Sequence, residues 1–140
     1  MYAIFSIRKL TATSRLNMAQ IQLMDLDDQQ YSLVTQKLNI ENEQAQKQIQ
    51  VASKLSKLYE NAGDGEVNEN EVKQLEQELT KSTAQATQKK NAIAYQENAI
   101  ELQKKSLETV ITKWTKELEV IEKAEEAGIE RANPKYTGLG

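Results

Sequence analysis

The chain has no cysteine and no histidine, one proline, one tryptophan and one phenylalanine. Each shortage excludes something. Without cysteine there is no disulfide and no thiolate metal site, and the redox compartment stays open. Without histidine the usual neutral-pH base and the usual zinc ligand are missing. Aromatic residues are 5% of the chain and apolar residues 39%, too few for a thick globular core. The proline, Pro134, stands near the C-terminus, and the glycines fall at 63, 65, 128, 138 and 140. Residues 1–60 and 66–127 therefore hold no helix breaker. The net charge is −3 with the signs interspersed, so there is no basic footprint for nucleic acid. No apolar run is long enough to span a bilayer. The opening "MYAIFSIRKL" has a short apolar run, with Arg8 and Lys9 after it and no small-residue cleavage site. A cytoplasmic protein is expected, or one exported by a route without a cleaved signal peptide.

What is abundant is Gln, Lys, Glu, Ala and Leu, the composition of long helices and coiled coils. At 140 residues one domain is expected. Steps of seven from Val72 reach Leu79, Ala86, Ile93, Ile100, Leu107, Trp114 and Ile121, every one apolar. Steps of seven from Leu10 reach Asn17, Met24, Tyr31, Leu38, Ala45, Ala52 and Tyr59, with Asn17 alone strongly polar. Rows of this length indicate helices with a coiled-coil seam.

The two rows fit one antiparallel register. Tyr59 faces Val72, Ala52 faces Leu79, Ala45 faces Ala86 and Leu38 faces Ile93. Tyr31 then faces Ile100, Met24 faces Leu107, Asn17 faces Trp114 and Leu10 faces Ile121. This register puts the reversal at residues 65–66, among the glycines. The alternate layers are weaker: Thr35 would meet Gln96 and Asp28 would meet Gln103. The expected fold is all-α, a long antiparallel two-helix coiled-coil hairpin that packs with other helices in an oligomer. Helix 1 covers 1–60, the turn 61–68, helix 2 69–132, and an extended tail 133–140, ended by Asn133-Pro134. At about 1.5 Å per residue the arms would be roughly 90 Å long.

The turn "ENAGDGEVNENEV" contains the pattern nearest to a chemical motif. Against a twelve-residue calcium loop, Asp64, Gly65, Val67 and Glu71 fit positions five, six, eight and twelve. Glu60 stands where the loop needs Asp, and Ala62 stands at a ligand position without an oxygen. Asp64 and Glu71 are thus the only metal-ligand candidates, and they make half a loop. The same residues serve a plain turn. Asn61, Gly63 and Gly65 suit a helix end, Asn68 can cap the next helix, and Glu71 completes a capping-box pattern.

A second stripe lies behind the expected seam of helix 1. Ala12, Leu16, Ala19, Leu23, Leu26, Leu33 and Ile40 recur at three- and four-residue spacing. A simple hairpin would leave this stripe in water, so it is expected to be the partner or self-assembly face. The alternative is a helix break near residues 26–32 and a three-helix bundle. Helix 2 has a shorter stripe of Ala92, Tyr95, Ala99 and Leu102. Apolar residues at the ends (Tyr2, Ile4, Phe5, Ile7, Ala124, Ala127, Ile129, Tyr136, Leu139) read as docking elements.

Catalysis has little support. Asp27-Asp28 and Glu125-Glu126 are neighbours in sequence and do not converge on one helix face. Lys89-Lys90 and Lys104-Lys105 are isolated doublets among acids, too sparse to track phosphates. No cofactor is implied. The layout resembles the subunits of bacterial helical filaments, such as flagellins and the filament proteins of type III secretion systems. It is equally similar to the coiled-coil stalk proteins of flagellar and type III export ATPases. Either resemblance is one of layout over the whole chain and carries no residue roles. It implies a non-enzymatic structural protein that self-assembles, or a coiled-coil adaptor or stalk with an export-apparatus partner.

Overall fold

A computed structural model of the chain describes the backbone of residues 2–138 and the side chains of residues 6–128. It holds two helices, α1 (Tyr2–Ala62) and α2 (Glu69–Gly138), of 61 and 70 residues, packing as a hairpin, with no strand among the described residues. α1 contains neither Pro nor Gly, so every position can continue the helical hydrogen-bond ladder. It runs unbroken through residues 26–32, where a three-helix bundle would need a reversal. Threonines are poor helix formers, yet several are accommodated by bonding back along the helix. The hydroxyls of Thr11, Thr35, Thr87, Thr109 and Thr112 donate to the carbonyls of Ile7, Tyr31, Thr83, Lys105 and Glu108.

The reversal is built from local chemistry. Gly63 has φ 56°, a left-handed conformation that a side chain would oppose. Its N–H donates to Glu60 O at 3.3 Å, and the Gly65 N–H donates to Ala62 O at 2.8 Å. A Cβ on Gly65 would lie 3.0 Å from that same carbonyl oxygen. α2 then starts from Asn68, whose Oδ1 accepts the Asn70 N–H at 3.1 Å. Glu69 and Glu71 in the first turn suit the positive end of the helix dipole.

The far end of α2 differs from the expected boundary. Helical backbone passes Asn133 and Pro134 and continues to Gly138, so residues 133–138 are not extended. Proline's own φ is close to helical, so the helix can pass it at the loss of one hydrogen bond and some crowding. The side chains of Tyr2, Ile4, Phe5, Ile129, Tyr136 and Leu139 lie outside the described residues.

The packing divides into two units. Unit one is residues 1–28 with 100–140. Ala12, Ala19 and Leu26 of α1 and Ile100 and Ile121 of α2 are buried there. Leu16, Leu23, Leu107 and Trp114 are half-buried around them. Ion pairs flank this core: Arg8–Glu117 at 2.9 Å, Lys9–Glu125 at 3.5 Å and Lys104–Asp27 at 2.6 Å. Unit two is residues 29–99. Leu33 and Val51 of α1 and Ile93 of α2 are buried, with Ile40, Leu55, Leu58, Leu75, Leu79 and Ala86 half-buried. Lys90–Glu41 and Lys47–Glu78 join the helices at 3.6 and 3.8 Å. The Gln44 side chain donates to Thr83 Oγ1 at 2.6 Å and accepts from the Ser82 hydroxyl at 2.9 Å. Exposed pairs of this kind contribute about 0–1 kcal/mol each, so the apolar burial holds the helices together and the polar pairs select the alignment.

The inner face of α1 is not the expected one. Leu10, Met24, Tyr31, Leu38, Ala45, Ala52 and Tyr59, assigned to the hairpin seam from sequence, are all exposed. Ala12, Leu16, Ala19, Leu23, Leu26, Leu33 and Ile40, assigned to an outside partner, are buried or half-buried within the hairpin. The reason is the company each row keeps. Between the steps of seven from Ala12 fall Leu16, Leu23, Gln30, Lys37, Gln44, Val51 and Leu58, four of them apolar. Between the steps of seven from Leu10 fall Ser14, Ile21, Asp28, Thr35, Asn42, Ile49 and Ser56, two of them apolar. Turning the second set inward would bury two apolar groups in place of four and draw the Asp28 carboxylate off water, which costs stability. On α2 the row from Val72 to Ile121 is buried or half-buried at each step.

Candidate functional site

The candidate site is the outer face of α1. Successive residues turn by about 100° around a helix. Leu10 and Ala12 are two residues apart, about 200°, so they point to opposite sides. Because Ala12 faces α2, Leu10 faces away, with the rest of its row. In unit one the outer face carries Ile7, Leu10, Met18, Ile21 and Met24. In unit two it carries Tyr31, Val34, Leu38, Ile49 and Tyr59. Leu10 is 72% exposed and Tyr31 is 76% exposed. Scattered apolar residues on a surface need no explanation. Here, however, all but Met18 and Val34 fall on one alternating three- and four-residue frame, the spacing of a helix–helix seam, with polar residues at some of its positions.

The stripe has interruptions with a definite character. Ser14, Asn17, Asp28, Thr35, Asn42 and Ser56 sit in line with it and are exposed. Most residues on its flanks are uncharged: Thr11, Gln20, Ser32, Asn39, Gln46, Gln48 and Ser53. α2 also presents apolar groups outward. Ala92, Tyr95 and Ala99 are exposed in unit two, and Leu102 and Val120 in unit one. Tyr95 is 79% exposed.

Several charged doublets now have partners. Asp27 pairs with Lys104, and Glu41 pairs with Lys90. One member of each doublet Asp27-Asp28, Lys89-Lys90 and Lys104-Lys105 is thus used across the hairpin. These pairs were invisible in the sequence, because helix periodicity places a charge on a face but does not choose its partner on the other helix. Trp114 is half-buried, with Lys113 Nζ 5.4 Å from its ring centroid. The small side chains that α1 buries in that unit are Ala12 and Ala19, while Asn17, expected opposite Trp114, is exposed.

The turn places Asp64 between Gly63 and Gly65, and Glu71 one turn into α2, both exposed. Among the described residues no group of three or more His, Cys, Asp or Glu is placed to hold a metal ion. Millimolar calcium is expected to leave helicity and melting temperature unchanged. A melt shifted up by several degrees, with the shift lost in Asp64→Ala or Glu71→Ala, would show a bound ion instead. Unit two also has two solvent-open clefts. One, about 730 Å³, is lined by Lys54, Lys57, Leu58, Asn61, Leu75 and Lys81 among others. The other, about 460 Å³, is lined by Gln44, Lys47, Glu78 and Ser82, residues already bonded across the hairpin. No helix among the described residues is long and apolar enough to cross a membrane. No protein-family model matches the chain, and no curated protein or solved structure is significantly similar to it.

Proposed function

We propose that the chain is a non-enzymatic structural protein. In this reading it is an antiparallel coiled-coil hairpin that self-assembles into a filament or larger multi-subunit structure. The observation that carries the reading is the second heptad stripe of α1, which lies outside the hairpin. A helix patterned on two opposite sides can satisfy one side within its own chain and needs another molecule for the other. The ion pairs support the antiparallel arrangement, since Arg8 and Lys9 near the start of α1 meet Glu117 and Glu125 toward the end of α2, while Asp27, Glu41 and Lys47 meet the earlier Lys104, Lys90 and Glu78.

A second reading is a coiled-coil adaptor or stalk of an export apparatus. It is favoured by the interruptions at Asp28, Thr35 and Asn42, which a different chain with basic or amide residues could match. Sedimentation velocity over a concentration series, with negative-stain microscopy, separates the two. Self-assembly is expected to give species that grow with concentration in the purified protein. A sharp monomer at every concentration would overturn it and leave the adaptor reading.

A further inference from the structure

We infer that the outer face of α1 in unit one pairs with the same face of a second copy, antiparallel and about a two-fold axis. This rests on the reading that the outer face is a self-assembly surface, and it names the partner and the geometry.

Two patterns on one stretch of helix point to this arrangement. The first is apolar. Ile7, Leu10, Ser14, Asn17, Ile21 and Met24 follow one another along the outer face at alternating three- and four-residue steps, all exposed. Two apolar residues, two small polar ones and two apolar ones make a sequence that reads alike in both directions. When a second copy runs the opposite way, Ile7 falls opposite Met24, Leu10 opposite Ile21, and Ser14 opposite Asn17. Every apolar layer meets an apolar layer. The polar layers meet at the axis, where Asn and Ser supply donors and acceptors to each other.

The second pattern is electrostatic. Residues 1–24 contain Arg8, Lys9 and Arg15 and no acid, and residues 25–28 contain Asp25, Asp27 and Asp28 and no base. The stretch from 16 to 24 between them is uncharged. In the antiparallel alignment the basic end of one copy lies against the acidic end of the other, twice. Arg8 lies two residues from Leu10, on the side of α1 that meets Glu117, so these charges favour the antiparallel orientation as a field along the helix and not as a direct pair. A parallel in-register pair would instead set Arg8 beside Arg8 and Asp25 beside Asp25, which opposes association. A two-fold contact of this kind uses the same patch on both copies. It leaves Tyr31, Leu38, Ile49 and Tyr59 of each unit two outside, available for further growth.

The chain has no cysteine of its own, so introduced thiols report the geometry directly. Leu10→Cys and Ile21→Cys proteins are prepared separately, mixed and oxidised, and so are Ser14→Cys and Asn17→Cys. Each position is exposed, so the hairpin tolerates the change. The mixed disulfide is expected to be the main product. Either Leu10→Cys or Ile21→Cys alone should cross-link poorly, since eleven residues, about 16 Å, separate identical positions and a disulfide spans Cα atoms at most about 7 Å apart. Asp25→Arg brings like charge to the basic end of the second copy and should reduce the mixed product. Leu10→Cys or Ile21→Cys alone cross-linking as readily as their mixture would overturn the antiparallel pairing in favour of a parallel one. Oligomers by sedimentation with neither product would overturn the pairing and leave self-assembly standing. A monomer at all concentrations would overturn both.

Discussion

Leu26→Lys combined with Leu33→Lys is expected to unfold the hairpin, seen as an early or absent melt by circular dichroism. Both leucines are under 10% exposed, and they lie one heptad apart on the inner side of α1. Removing a buried Leu side chain costs about 2–5 kcal/mol, from lost transfer energy and the space left behind. Lysine adds the cost of moving an ammonium group off water, partly avoided if the chain snorkels to the edge. Two such changes remove about 4 kcal/mol or more, against a total stability of about 5–15 kcal/mol for an ordinary domain. A two-helix hairpin has few other buried residues with which to resist. The matched control is Leu10→Lys with Leu38→Lys. These positions are exposed, so the melt of the monomeric protein should shift by no more than ordinary surface changes do, about 0.5 kcal/mol each. Equal melts for the two double variants would mean that the inner and outer sides of α1 are wrongly assigned.

The sides of α1 show where sequence reading reaches its limit. The turn was legible because its chemistry is local. Gly63 needs a positive φ, and Asn68 needs only its own side chain and the next turn of helix to form a cap. The row on α2 was legible because α2 has one strong heptad row, from Val72 to Ile121, with shorter patches elsewhere. α1 has two rows, and counting apolar residues along each does not rank them. The deciding quantity is what the neighbouring positions would bury. The row of Ala12 is accompanied by Leu16, Leu23, Val51 and Leu58 with Gln30, Lys37 and Gln44, and the row of Leu10 by Ile21 and Ile49 with Ser14, Asp28, Thr35, Asn42 and Ser56. Two further large apolar groups and no carboxylate favour burying the first. The partners of Asp27 and Glu41 were not legible either. An ion pair between helices depends on which sides meet, and that was the unknown. The same swap moves the candidate surface. The stripe through Leu23 and Leu26 belongs to the hairpin's interior, and the outer face is the one that begins at Ile7 and Leu10.

Ile21→Lys with Met24→Lys is therefore expected to abolish assembly and leave the hairpin folded. Both side chains are about two-thirds exposed within the chain, so little intramolecular contact is lost and helicity should hold. At a contact with another helix each would be buried, and full burial of a side chain of this size is worth roughly 1.5–3 kcal/mol. Two of them contribute about 3 kcal/mol at the low end, and a two-fold contact counts each change twice. Every 1.4 kcal/mol is about tenfold in affinity. Assembly should then need at least roughly a hundredfold more protein than the parent requires, beyond an ordinary concentration series. Introduced ammonium groups would also stand near Arg8 and Lys9 of the second copy and add repulsion. Circular dichroism and sedimentation velocity on the same samples read the two halves of the expectation. Lost helicity would place Ile21 and Met24 inside the fold, against their exposure here. Unchanged helicity with unchanged assembly would show that subunits meet elsewhere, with Tyr95 and Leu102 of α2 the next surface to alter. Unchanged helicity with lost assembly would show that α1 works on both sides, holding α2 with one and a second molecule with the other.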